Sequence, residues 1–156
     1  MEDDTRQETV RTSNKKNQPL LIIIGTFIVL VVIVFLFNKE APVNWTSNYA
    51  LATQTAKEAN KPLLLIFYRP NEPMVTDAFN NTYNQPEVQQ FVNNNFIAVL
   101  INTNDQPDLA RRFDINYYPA IYIEDPNTGK RVGPRVGWDP PELFIKTMTE
   151  MRDRLY

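Results

Sequence analysis

The chain has 156 residues, 16 basic against 18 acidic side chains and a pI near 5.2, enough for one domain with an appendage and without the concentrated basic face that phosphate binding needs. It contains no Cys and no His, so it can form no disulfide, offer no thiolate, carry out no thiol redox step, and use no imidazole as acid, base or ligand near neutral pH. Any chemistry rests on carboxylates, Lys, Arg, Tyr and hydroxyls, and no calcium-loop spacing of Asp/Asn, Gly and Glu is present, so neither a metal nor a cofactor is expected.

Residues 1–19 mix acidic and basic side chains with almost no large apolar ones, and are expected to form a disordered arm because they cannot bury enough surface to fold. Residues 20–37, LLIIIGTFIVLVVIVFLF, hold no charge. At about 1.5 Å per residue such a run spans about 27 Å, close to the hydrocarbon thickness of a bilayer. It is longer than the apolar region of a signal peptide, about 7–15 residues, and no small-residue cleavage pattern follows it. The reading is therefore a single-pass, uncleaved transmembrane helix (a signal-anchor). Arg11, Lys15 and Lys16 precede it closely and Lys39 alone follows closely, which places the N-terminus in the cytoplasm and the remainder on the periplasmic, luminal or extracellular side.

Residues 38–45, NKEAPVNW, read as a short linker, and residues 46–156 as one folded domain. Asn44-Trp45-Thr46 and Asn80-Asn81-Thr82 fit the glycan acceptor pattern, which matters only in a eukaryotic host. Thr46 or Ser47 is expected to cap a helix running to about Asn60, with Leu51, Ala52, Ala56 and Ala59 on one side. LLLIFY (63–68) is a continuous apolar run, the pattern of a central strand buried on both faces. A helix follows at about 74–83, then one from Pro86 to about Asn93, a second buried strand at 96–102 and a short helix at 107–113. PAIYIED (119–125) is a third strand, and the turn residues PNTG lead into a fourth, KRVGPRVG, where Pro134 argues for a sheet edge. Asp139 as N-cap, Pro140 at the first helical position and Glu142 as capping-box partner open a last helix, whose Phe144, Met148, Met151 and Leu155 form an apolar stripe.

This order, with LLLIFY after Lys61-Pro62, TYNQPEVQQFVNNNFIAVLIN, LARRFDINYYPAIYI and the closing VGW, resembles the thioredoxin-like family, and more narrowly the membrane-tethered domains similar to the C-terminal domain of thiol:disulfide interchange proteins. The resemblance covers roughly residues 45–156. It implies a three-layer α/β/α fold with a mixed central sheet, and a cis peptide bond between Tyr118 and Pro119 at the start of the third strand. It also implies that the family's Cys-x-x-Cys would fall on Glu72-Pro73-Met74-Val75, with Asn71 in the place of the preceding Trp. Both cysteines are missing, so the fold carries over and the thiol activity does not.

What the resemblance leaves is a surface on which the 69–73 loop, Tyr118-Pro119 and Gly137-Trp138 converge. Its expected binding residues are Asn71, Glu72, Pro73, Tyr118, Pro119 and Trp138, with no catalytic and no metal-ligating residue. A helix start stabilises the Glu72 carboxylate as an acceptor, and a plain helix-start carboxylate competes with any functional role. Asp77 reads as solvated helix surface, Tyr68 as core or half-core, and Arg111 and Arg112 as cover for a helix face. Tyr118 and Trp138 are expected to expose flat contact area. The leading expectation is a redox-inactive, non-catalytic, membrane-anchored protein that contacts a protein partner, as subunit or assembly factor of a membrane complex. No nucleic acid is expected, and membrane lipid is met only through residues 20–37. The alternatives are a non-redox enzyme using Glu72 in the former cleft, and a structural role in which the cleft is buried in an assembly.

Overall fold

The computed structural model describes residues 23–29 and 41–156. In the N-terminal part, residues 23–29 are helical with exposed Ile23, Ile24, Phe27, Ile28 and Val29, and Thr26 donates its hydroxyl to the Ile23 carbonyl at 2.9 Å. The arm at 1–19 and the rest of the expected span at 20–37 lie outside the described residues. No helix among the described residues is long and apolar enough to cross a membrane.

The second unit comprises α1 (Tyr49–Ala59), β1 (Leu63–Tyr68), α2 (Pro73–Ala78) continued by a π-helical turn (Phe79–Tyr83), α3 (Pro86–Asn95), β2 (Ile97–Asn102), α4 (Pro107–Arg112), β3 (Ala120–Glu124), β4 (Arg131–Val136) and α5 (Pro141–Asp153). The strands are ordered β2-β1-β3-β4, with β1 parallel to β2, β1 antiparallel to β3 and β3 antiparallel to β4. The sheet is thus mixed, and the fully apolar β1 lies inside it, as its sequence implied.

Side-chain alternation along β1 sends Leu64 and Ile66 to one face, where α2, α3 and α5 supply Ala78, Val88, Val92, Phe144 and Met148. Leu63, Leu65 and Phe67 point to the other, against Ala52 and Ala56 of α1 and Leu109 and Phe113 at α4. The result is three layers. Phe144, Met148 and Met151 of α5 and Leu155 in the turn just after it, expected as one helical stripe, are all buried.

Several local expectations change. The cap of α1 is Asn48, whose side chain accepts from the Leu51 N–H at 3.0 Å; Thr46 instead pairs with Val99 as a parallel bridge on the outer margin of β2. Only Ala52 and Ala56 of the expected face are buried, while Leu51 and Ala59 are exposed. β2 is less enclosed than its composition suggested, with Ile97 and Leu100 half-buried.

Asp139 does not cap α5. The helix begins one residue later, with Pro140 at the cap position, and the buried Asp139 carboxylate accepts from Arg135 Nη2 at 2.5 Å and Nε at 3.1 Å, binding the end of β4 to the start of α5. Pro134 does stand on an edge strand, preceded by Gly133 with φ of +139°. A Cβ at Gly133 would lie 2.7 Å from the Ile121 carbonyl, so only glycine fits beside the register shift between Ile121 and Ile123.

The segment expected as linker is part of the folded unit from Ala41 on. Val43 is buried, and Trp45 meets Phe79 and Tyr83 edge-on with ring centroids 6.4 and 6.1 Å apart. Asn93 at the end of α3 clasps this strap, donating to the carbonyls of Ala41 and Pro42 at 3.2 Å and accepting from the Asn44 N–H at 3.1 Å.

Candidate functional site

β1 ends at Tyr68 and passes the chain to Arg69-Pro70-Asn71-Glu72. Asn71 adopts φ of +67°, a left-handed conformation that Asn tolerates better than most side chains, and so turns the chain into α2. Pro73 takes the first helical position, where no N–H is needed. Glu72 is the residue at the cap: its carbonyl accepts from the N–H groups of Val75 at 3.0 Å and Thr76 at 3.3 Å. Its side chain makes no capping bond and instead approaches Arg69, 3.7 Å away, with both side chains about half exposed.

Arg69 joins this loop to the next one. Its guanidinium lies over the Tyr118 ring, 4.5 Å from the centroid, and Nη2 donates to the Tyr118 hydroxyl at 3.2 Å. The buried Thr103 Oγ1 is 3.2 Å from the same hydroxyl and 3.2 Å from the Tyr68 carbonyl. One proton arrangement satisfies every group: Arg69 donates to Tyr118, Tyr118 to Thr103, and Thr103 to the carbonyl, which can only accept. A chain of hydrogen bonds from the sheet interior therefore fixes the tyrosine.

The Tyr118-Pro119 bond is cis, as the resemblance implied, and Pro119 is buried. Its carbonyl accepts from the Gly137 N–H at 3.0 Å, and a Cβ placed on Gly137 would lie 3.7 Å from Met74 Sδ. The 69–73 loop with Met74 of α2 behind it, the Tyr118-Pro119 bond and the Gly137-Trp138 turn therefore meet at the C-terminal end of β1.

The exposure of the aromatics differs from expectation. Trp138 is half-buried and packs against the core on the α5 side, and Tyr118 is half-buried beneath Arg69. The apolar side chains that do stand out are Tyr117, 70% exposed, and Met74, 47% exposed. Arg69, Met74 and Thr103 were missed in the sequence. Arg69 carried a usable signal, since it stands three residues before Glu72 at the end of the central strand. Tyr68 is half-buried, and Asp77, Arg111 and Arg112 are exposed, in keeping with their readings.

Chemically, the site offers one half-exposed carboxylate 3.7 Å from one guanidinium, the exposed Met74 side chain, and backbone from three segments. Among the described residues no group of three or more acidic side chains could hold a metal ion. The buried phenol of Tyr83, pushed well above its ordinary pKa by burial and then by the nearby Asp139 charge, lies in the core behind α2.

The sequence profile of the thioredoxin-like domain family matches residues 49–152. No curated protein matches the chain in sequence. Among solved structures, a thioredoxin from Thermus thermophilus is similar at 18% identity and a TM-score of 0.66, covering 74% of this chain and 91% of its own. The oxidoreductase DsbH is similar at 15% identity and a TM-score of 0.65, covering 72% of this chain and 86% of its own. The oxidised C-terminal domain of DsbD from Neisseria meningitidis is 25% identical, with a TM-score of 0.57, over 66% of this chain and 91% of its own. The profile match over most of the chain, the mixed sheet and the cis-Pro119 loop beside Glu72 together establish that this chain belongs to the thioredoxin-like domain family, without the cysteines of its Cys-x-x-Cys motif.

Proposed function

We propose that this protein is a redox-inactive, membrane-anchored thioredoxin-like domain that works by contact with another protein outside the cytoplasm, as subunit or assembly factor of a membrane complex. The observation that carries this reading is a display surface kept in order although the thiols are absent: Asn71, Glu72 and Pro73 are still held at the end of the central strand beside cis-Pro119 and Trp138. Arg69, Tyr118 and Thr103, bonded in series, hold this loop to the end of β1. The anchor rests on the uncharged run at 20–37 and the basic residues before it.

Photo-crosslinking from position 72 in intact cells tests this. A discrete protein adduct is expected from position 72 and none from Lys57, on the exposed side of α1. A chain that stays monomeric in gentle detergent and gives no adduct from position 72 would overturn the reading.

A further inference from the structure

With no cysteine in the chain, its sulfur chemistry lies entirely in four methionines. Met1 lies outside the described residues. Met148 and Met151 stand on α5 with 0% and 2% of their surface exposed, in an apolar cluster that they share with Ile66 and Phe144. Met74 is 47% exposed and belongs to neither core cluster. It is the second residue of α2, where Val75 and Ala78 carry the buried side of the helix and leave Met74 on its open side.

The Met74 sulfur is solvent-accessible at a defined place. A Cβ built on Gly137 would lie 3.7 Å from Sδ, an ordinary contact distance, so the sulfur lies on the side of Gly137 where a side chain would otherwise stand. Gly137 is itself held: its N–H donates to the Pro119 carbonyl at 3.0 Å, and its φ of +84° is one that few side chains tolerate. A thioether is apolar and polarisable, and where side chains are chemically identical their reaction with a water-borne oxidant follows exposure. No thiolate in the chain competes for that oxidant.

We propose that Met74 is a site of reversible oxidation by hydroperoxides, and that its sulfoxide turns the Met74–Gly137 contact from apolar to polar while the fold stays intact. With hydrogen peroxide, a sulfur lone pair forms the S–O bond as the O–O bond breaks. The departing hydroxide takes the proton of the transferred oxygen and leaves as water. Sulfur loses two electrons and the peroxide gains them. In the reverse step two thiols of an external reductant supply two electrons and two protons, the oxygen leaves as water, and the thiols become a disulfide; methionine sulfoxide reductases, one for each sulfoxide epimer, catalyse it. The fold tolerates the new oxygen because solvent reaches it, whereas the same oxygen on Met148 or Met151 would be stranded in the core. Neither an anchor nor a partner is needed for this reaction.

The test treats the full-length chain in detergent micelles with hydrogen peroxide and follows each methionine by peptide mass mapping, which resolves Met1 on its own peptide. Oxygen uptake at Met74 is expected to be about tenfold or more faster than at Met148 and Met151. In concentrated urea the three rates should converge, because burial sets the difference. After one oxygen at Met74, the midpoint of the urea transition should be unchanged and the Gly137 amide resonance should move. The two reductases with dithiothreitol should then restore both mass and resonance. Met74→Leu, which keeps the volume and removes the sulfur, should abolish the fast uptake. Similar rates at the three sites in the folded chain, rates that stay apart in urea, or an unmoved Gly137 resonance would overturn the proposal. So would unfolding on the first oxygen, or a sulfoxide that the reductases leave in place.

Discussion

Two arginine–carboxylate pairs stand at opposite ends of the same sheet and behave differently. At the N-terminal end of β1, Glu124 is almost wholly buried, accepts from Arg131 Nε at 2.6 Å and from the Tyr49 hydroxyl at 2.5 Å, and Arg131 lies 3.8 Å from the centre of the Phe113 ring. At the display end, Glu72 and Arg69 are half exposed and 3.7 Å apart. The residue types match, and burial separates their roles. A buried carboxylate is fastened because losing its partner strands a charge away from water, whereas an exposed pair gains little from being together and exchanges readily. One pair closes a structure; the other is open to a newcomer.

The sharpest way to break this contrast is Arg131→Ala, which leaves Glu124 buried with only Tyr49. A loss of about 3–5 kcal/mol in unfolding free energy is expected from urea titration. A loss under about 1 kcal/mol would erase the distinction.

A buried polar group without a partner should behave in the opposite way. The Tyr83 hydroxyl is buried and has no hydrogen-bond partner among the described residues, so Tyr83→Phe is expected to stabilise the domain by about 1 kcal/mol, read as a rise in thermal midpoint of a few degrees. A clear fall in midpoint would show that the hydroxyl does have an acceptor.

At the display end, Glu72→Gln is expected to change stability by less than about 1 kcal/mol, because the pair with Arg69 is solvent-screened. The same variant should nonetheless weaken partner crosslinking from position 74, the exposed Met74 two residues on, in α2. A large stability loss would place Glu72 with Glu124 as a structural carboxylate.

The smallest effect belongs to the hairpin turn near the fastened end. Asp125 accepts from Thr128 Oγ1 at 2.6 Å and from the Asn127 N–H at 2.9 Å, and these bonds hold its carboxyl below the ordinary value. Between the folded and unfolded pKa the unfolded chain binds the extra proton, so this contribution is complete above the unfolded value, about 3.9, and is lost as pH falls through the depressed folded one. Asp125→Asn should flatten that part of the acid limb of a stability–pH curve. An unchanged limb would mean that other carboxylates carry it.

Much of the fold was legible because its signals are local. The apolar run of β1, prolines opening α2, α3 and α4, and the Phe144–Leu155 stripe each depend on a short stretch of chain. The misread positions depend on distant partners. Asp139 has the spacing of a capping box, but Arg135 takes its carboxylate, and the second proline of Pro140-Pro141 shifts the helix start. The cover over Tyr118 comes from Arg69, 49 residues away, and the strap is held by Asn93, whose role nothing near Ala41 announces. The display loop itself could be located from the family resemblance, yet which aromatics it leaves uncovered was decided by packing between three separate loops.

The two margins of the sheet share a further property. On β4, Pro134 has no N–H to offer, and the backbone shifts register beside it; on β2, Thr46 takes the donor of Leu100 and the acceptor of Ala98. Neither margin presents an unbroken ladder to a neighbouring copy. Many copies crowded together would therefore resist extending one sheet into the next, a safeguard against aggregation built without a single disulfide.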